Sequence, residues 1–327
     1  MKKILKILGV LLSIILLAVV GLVLYVNLSW EKTFEAPYPE ITVTSDSASI
    51  ARGKYLAFGP AHCATCHVPI DKIKAVDEGA IVPLSGGWEL NIPPGTFRAP
   101  NLTPDEETGI GRYTDEELAR TLRHMVSPNG TMLFPFMPFQ NMTDEDVASV
   151  IAFLRSQEPV RNEVPKTEYS FLGKALLAMG VMQPQGPSGT PPKRIEKEVS
   201  IEYGSYLANS VANCNGCHTE RNLKTGEFTG PQLAGGMVMP PDDFTQGFSF
   251  VTPNLTPHET GVIAEWSEAQ FIERIRAGRV IPTSPMPWGT YSQMEEVELK
   301  AIYQYLMSLD PVENNIDKVV YEPGEEI

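Results

Sequence analysis

The stretch Cys63-Ala64-Thr65-Cys66-His67 decides how the chain is read, and it returns as Cys214-Asn215-Gly216-Cys217-His218. The chain has four cysteines, and all four lie in these two pentapeptides. Each pentapeptide offers two thiols and an imidazole from one short helical turn, so a single local conformation sets all three groups. A thioredoxin-like redox pair shares the C-x-x-C spacing but has no need of the following His. A zinc site accepts Cys and His, but its ligands would have to meet from two stretches far apart in sequence.

C-x-x-C-H is the attachment signature of c-type haem. On that reading Cys63, Cys66, Cys214 and Cys217 bond two porphyrins covalently, and His67 and His218 each supply one axial ligand to iron. The surrounding sequence repeats with the motif. Arg52-Gly53-Lys54-Tyr55-Leu56-Ala57 precedes Cys63 as Tyr203-Gly204-Ser205-Tyr206-Leu207-Ala208 precedes Cys214. Gly86-Gly87 recurs as Gly235-Gly236, Pro100-Asn101-Leu102-Thr103-Pro104 as Pro253-Asn254-Leu255-Thr256-Pro257, and Glu158-Pro159-Val160 as Asp310-Pro311-Val312. An offset that stays near 150 marks a duplicated unit.

Each unit reads as helical. Thr114-Asp115-Glu116-Glu117 is a capping box, with Leu118, Leu122 and Met125 forming the apolar face behind it. Ser267-Glu268-Ala269-Gln270 repeats it, followed by Phe271 and Ile275. A last helix begins near Thr143 with Val147, Val150, Ile151 and Leu154 on one side; Leu299, Ile302, Tyr303 and Leu306 do the same in the second unit. Gly- and Pro-rich sequence between the motif and Pro100 or Pro253 reads as loop. Residues 161–198 join the units, with an apolar helix expected over Phe171–Met182 and a stiff Pro-rich segment after it.

Upstream, residues Ile7 to Val26 carry no charge, a run long enough to span a bilayer. No small-x-small cleavage site follows, Tyr25 and Trp30 suit the membrane interface, and Lys2, Lys3 and Lys6 favour an inside N-terminus. An uncleaved anchor over residues 1–30 and a polar tether over 31–48 are the expectation. The formal net charge is −14, and with those three lysines set aside the rest carries −17. That balance makes nucleic acid an unlikely partner by charge alone.

The second axial ligand should recur as the motif does. Met137, in Phe136-Met137-Pro138-Phe139, lies 74 residues beyond Cys63; Met286, in Pro285-Met286-Pro287-Trp288, lies 72 beyond Cys214. Met opposite His favours ferrous iron and raises the potential, and the following Pro stiffens the loop. Met142 and Met294 also recur, but Met142 before the Thr143 cap reads as a hydrophobic staple against Val147. Met132 aligns with Ser284 and fails the repeat test. His124 aligns with Ala277, and His62 and His258 have no repeat support. Trp88 and Trp266 read as packing, and Arg98 as a possible propionate partner.

Taken together these residues resemble class I cytochrome c domains, so the expected fold is all-α: two tandem such domains, over residues 49–160 and 199–316, after an N-terminal transmembrane helix, with a tail over 317–327. The resemblance makes Gly53 and Gly204 the glycines where first and last helices cross, facing Phe153 and Tyr305. It also implies two covalently bound haem c groups, attached on the extracytoplasmic side of the membrane. The Pro-Asn-Leu-Thr-Pro, Thr-Gly and Met-Pro elements resemble more narrowly the cytochrome subunits of membrane-bound alcohol and gluconate dehydrogenases. The function implied is a membrane-anchored dihaem electron carrier, one electron per haem, without catalysis of its own. Its redox partner would be a dehydrogenase, a quinol-oxidising complex or a terminal oxidase. Two other readings compete: a dihaem peroxidase, which needs one open iron position that matched Met-Pro loops argue against, and a fixed electron-transfer subunit of a dehydrogenase complex. Thiosulfate oxidation through a Cys iron ligand fails because no Cys is left over.

Overall fold

The computed structural model describes residues 2–222, 226–242 and 244–327. Helix α1, Lys2–Ser29, is a single apolar rod of 28 residues with almost every side chain exposed. The first half then runs α2 (Ser47–Phe58), a 3₁₀ turn at Cys63–Thr65, α3 (Ile73–Asp77), β1 (Glu89–Ile92), β2 (Gly95–Arg98), α4 (Asp115–His124) and α5 (Asp144–Ser156). The joining segment holds β3 (Glu168–Tyr169) and α6 (Phe171–Ala178). The second half repeats the order as α7 (Ile201–Tyr206) running into a π turn at Leu207–Val211, α8 (Cys214–Cys217), β4 (Val238–Met239), β5 (Ser249–Val251), α9 (Glu268–Arg276), α10 (Trp288–Tyr291), α11 (Glu296–Met307) and β6 (Val320–Tyr321).

The all-α expectation is corrected in one respect. The molecule is mostly helical, but each half carries a small antiparallel sheet, ordered β1-β2-β3 and β4-β5-β6. The loops after each motif close on themselves, Glu89 opposite Arg98 and Val238 opposite Val251, and each takes its third strand from chain beyond the last helix. Strands of two to four residues are too short to show a period in sequence.

Local signals place the helices. Asp46 caps α2, accepting from the amides of Ala48 and Ser49, and those bonds hold its carboxyl well below the usual range. The capping boxes at Thr114/Glu117 and Ser267/Gln270 both form. Met142 and Val147, read as a staple, are both fully buried. In each half the first and last helices cross at a glycine. A Cβ on Gly53 would sit 1.8 Å from the Ser149 carbonyl oxygen and 2.8 Å from Phe153 Cβ; on Gly204 it would sit 1.9 Å from the Ala301 oxygen and 2.8 Å from Tyr305 Cβ. The aromatics expected at these crossings are the ones found.

The halves meet through a buried polar knot with approximate two-fold symmetry. Tyr55 of the first half donates to Glu298 of the second, and Tyr206 of the second donates to Asp146 of the first at 2.7 Å. Arg52 joins both carboxylates, at 2.9 Å from Asp146 and 3.5 Å from Glu298, and Tyr203 adds a bond to Glu298 at 3.1 Å. Glu298 is fully buried. Burial alone would pull the Arg52 guanidinium down, but Asp146 beside it, together with Tyr203 and Glu298, outweighs that and raises it. Burial, then the Glu298 charge, raises the Tyr55 phenol.

The segments at either end of the first half lie along it. In the stretch expected as a tether, the Phe34 amide donates to Gly130 O at 2.7 Å and Tyr38 lies under Arg120. In the joining segment, Pro192 and Lys193 carbonyls accept from the amides of Asp144 and Glu145 at the start of α5. The apolar helix expected over Phe171–Met182 is found as α6 but is shorter, ending at Ala178.

The crossings give a direct test. Gly53→Ala or Gly204→Ala should overpack its crossing and cost about 1–3 kcal/mol or more, which is a fall in melting temperature of roughly 4–8 °C per kcal/mol for a domain near 100 residues. Gly189→Ala, at a site with open space, should leave the melting temperature unchanged. Thermal unfolding of the three variants measures both outcomes.

Candidate functional site

Each motif begins after a residue in the left-handed region, His62 at φ 40° and Asn213 at φ 56°. That residue follows the end of the preceding helix and is the N-cap from which the motif turn starts. The motif backbone then closes one turn, with the amide of His67 donating to Cys63 O at 2.9 Å and that of His218 to Cys214 O at 2.8 Å. The thiols and imidazole of one motif therefore point from one turn, as the spacing requires.

The histidine rings are held the same way in both halves. His67 Nδ1 lies 2.9 Å from Pro100 O, and His218 Nδ1 lies 3.0 Å from Pro253 O. A carbonyl only accepts, so Nδ1 carries the proton and Nε2 keeps its lone pair free to bind a metal. Burial lowers both imidazoles, and the bond to the proline carbonyl opposes it. The neutral tautomer a metal needs is thus built in.

The repeated elements converge on that carbonyl. Asn101 sends Nδ2 to Val160 O at 2.7 Å while its Oδ1 accepts from the Thr103 amide and hydroxyl. Asn254 does the same with Val312 and Thr256. The Pro-Asn-Leu-Thr-Pro loop is therefore pinned to the Glu-Pro-Val or Asp-Pro-Val segment beyond the last helix. From the other side, the Gly86 amide donates to His67 O and the Gly235 amide to His218 O. Gly86 and Gly235 sit at φ 77° and 76°, and a Cβ there would meet the backbone of Pro100 or Pro253 within 2.6 Å. Only glycine brings the two chain segments this close. Sequence reading found every one of these repeats but not their common purpose, which is to aim the imidazole.

In the second half Cys214, Cys217, His218 and Met286 line one cavity of about 370 Å³. Its other walls are largely apolar, among them Phe250, Leu255, Ile263, Trp266, Phe271 and Ile302. Trp266, read as packing, belongs to this wall. Met294 also lines the cavity but is 2% exposed and packed into the core. Sequence reading missed two residues here. Arg274 lines the cavity with its guanidinium 3.7 Å from the centre of the Trp288 ring. Tyr291 lines it too, and donates to Ala212 O.

In the first half Cys63 and Met137 both pack against the main core. Burial pushes the thiols of Cys63, Cys66 and Cys214 up to about 12, and that of Cys217 upward. Such thiols are the opposite of a reactive low-pKa redox pair. Among the described residues no three His, Cys, Asp or Glu side chains converge as a zinc site would need. The donor set, the free Nε2 positions and the apolar cavity fit covalently attached haem.

The histidines without repeat support lie elsewhere. The ring of His124 sits against Gly186, 3.1 Å from where a Cβ would be, and is lowered by burial and by Arg123 and Arg120. His258 accepts from the Thr260 amide within its own loop. His62 lies edge-on to Tyr291, ring centres 5.6 Å apart. Arg98 is paired with Glu89 at 2.6 Å and Glu168 at 3.0 Å, tying β1 and β3 to β2.

Comparison with known proteins agrees with the geometry. The family described as Cytochrome c matches residues 50–158. The "Diheme cytochrome c-type" protein of Cereibacter sphaeroides is 31% identical over 80% of this chain and 86% of its own length. The "Fructose dehydrogenase cytochrome subunit" of Gluconobacter japonicus is 28% identical over 80% of this chain and 52% of its own. The "Alcohol dehydrogenase (quinone), cytochrome c subunit" of Gluconacetobacter polyoxogenes is 28% identical over 86% and 60%. The chain thus spans between half and two thirds of those two dehydrogenase subunits.

Removing one pin tests the support of the imidazole. In Asn254→Ala the Thr256 amide loses its acceptor, and the Val312 amide, which donates to the Thr256 hydroxyl, loses the asparagine that orients that hydroxyl. Their hydrogen exchange should rise about tenfold, the effect of losing roughly 1.4 kcal/mol of hydrogen bonding, while α7 and α11 keep their protection. Unchanged exchange at both amides would separate the loop from the asparagine.

Proposed function

The chain belongs to the cytochrome c family, and from that premise we propose that it is a membrane-anchored dihaem electron carrier of two tandem cytochrome c domains. The observation that carries the reading is the twofold occurrence of one arrangement. In each half a C-x-x-C-H turn presents its thiols, and its imidazole is aimed by a proline carbonyl.

Cys63 and Cys66 would hold one haem and Cys214 and Cys217 the other, with His67 and His218 as axial ligands through Nε2. Met137 and Met286 are the proposed opposite ligands, Met286 on its place in the cavity beside His218 and Met137 on its matching position in the repeat. When bound, such haems take up and release one electron each at iron. The protein's part is to fix the ligands, keep water from the site with apolar walls, and place the Arg274 charge at its edge. Both faces ligated leaves no open position for peroxide, so the peroxidase reading is not favoured.

Helix α1 supports the anchoring. Its 28 residues make a rod of about 42 Å, longer than the bilayer core of about 30 Å, with side chains that water does not solvate. The haem domains would lie on the extracytoplasmic side. The relatives named for fructose and alcohol dehydrogenases support a dehydrogenase as electron donor, either as a transient partner or with this chain as a subunit.

Three measurements test the proposal. Mass spectrometry of the mature chain should show two haem additions. Met286→Ala should abolish the ferric Met-sulfur charge-transfer band of one haem and lower its potential, since thioether ligation raises it, whereas Met294→Ala should keep the band. Affinity purification from native membranes in mild detergent should recover a dehydrogenase with the tagged chain; recovery of the chain alone would remove the fixed-subunit form of the proposal.

A further inference from the structure

Helix α6 is a short helix whose only charged residue is Lys174. On one side Leu176, Leu177 and Ala178 are buried, the two leucines forming with Met132 and Met182 a small core apart from the main one, closed by Trp30, Phe34, Phe134 and Tyr169. The other side is apolar as well. Phe171 is 50% exposed, Leu172 37%, Met179 55% and the following Val181 50%. A helix at a water surface normally turns charged residues outward, and one that is apolar all round is buried or in lipid.

The contacts of α6 fix its height along α1. Val26, near the end of the apolar run, is the one described residue of α1 that is buried. The Tyr25 hydroxyl donates to Ala178 O at 3.1 Å, and Lys32 Nζ donates to the same carbonyl at 2.8 Å. The Lys174 ammonium stands 4.9 Å from the centre of the Trp30 ring. So the end of α6 is clamped level with the end of the α1 apolar run. The residues at that level are of the kinds that favour a membrane interface: Tyr and Trp rings, and lysines whose stems lie along apolar surface while their ammonium groups reach polar partners.

We propose that the outward stripe of α6, Phe171, Leu172 and Met179 with Val181, lies in the headgroup layer of the membrane that α1 spans, so that the first domain rests on the lipid surface. This rests on the reading of α1 as a membrane span. The occupant is lipid rather than a second copy or a protein partner because the stripe is held beside the exposed apolar surface of α1 at the depth where that surface meets water. Its contact area is small, and by itself would give weak, reversible binding. Tied to a spanning helix, that weak contact sets orientation rather than affinity. It would hold the first domain close to the bilayer.

The test uses the full haem-loaded chain in vesicles of phosphatidylethanolamine and phosphatidylglycerol. A photoreactive benzoylphenylalanine replaces Leu172 or Met179, with Leu16 in α1 as the marker for the span and Val280, 61% exposed in the second half, as the aqueous reference. Illumination should attach lipid at 16, 172 and 179 and not at 280, read as a lipid mass on the corresponding peptide. Lipid at 16 but none at 172 and 179 would overturn the surface contact while leaving the span intact. No lipid at 16 would remove the span, and the surface contact with it. Protein adducts at 172 and 179 in place of lipid would assign the stripe to a protein interface and overturn the proposal.

Discussion

One hydrogen bond, from imidazole Nδ1–H to a proline carbonyl, sets the terms for the rest of each half. It fixes the tautomer, turns the ring and leaves Nε2 unprotonated. A carbonyl can do this only if it does not move. The asparagine pins, the glycine pairs with their left-handed backbone and the strands that close the loops all serve to hold that one oxygen still. The helix pair crossing at Gly53 or Gly204 does the same from below, since it fixes where the motif turn begins.

The two halves share these constraints but are not independent. The knot of Arg52, Asp146 and Glu298 sets two buried carboxylates against one half-buried guanidinium, with phenols filling the remaining bonds. Such a group adds little net stability over an apolar replacement, because desolvation offsets most of the attraction, but removing one partner is costly, about 3–5 kcal/mol. Its value is therefore in geometry. Tyr55 and Tyr206 each reach across to a carboxylate of the other half, so the pairing is satisfied in one relative arrangement and unsatisfied when the halves shift.

Much of this was legible in the sequence because repetition filters it. Gly53 and Gly204, the two motifs, the glycine pairs, the proline loops and the capping boxes recur, and every one proved structural in both halves. What escaped had a physical reason. The strands are two to four residues long and pair with chain beyond the last helix, a long-range partnership with no local period. The asparagines were visible as part of a repeated phrase, but their role depends on Val160 and Val312, more than fifty residues away. Arg274 has no charged counterpart at the matching helix position, which in the first half is Thr121, its hydroxyl turned to Glu117 O and Val126 O.

Repetition also has a blind side, and the contact between His62 and Tyr291 exposes it. Neither residue is repeated, so the comparison that selects the proposed haem ligands gives both no weight. Yet His62 immediately precedes Cys63, and Tyr291 is part of the wall around Cys214, Cys217 and His218. Beside them Arg279 pairs with Asp77 at 2.7 Å, and Gly289 approaches Asp77 so closely that a Cβ would lie 2.3 Å from its Cα. All of these bridge α10 and its neighbourhood to the first half. A duplicated chain folds each copy by the same rules, but the face where the copies meet need match only its partner. Residues that join the two centres are thus free of the repeat, and they are found by asking what lies between the motifs rather than what lies within them.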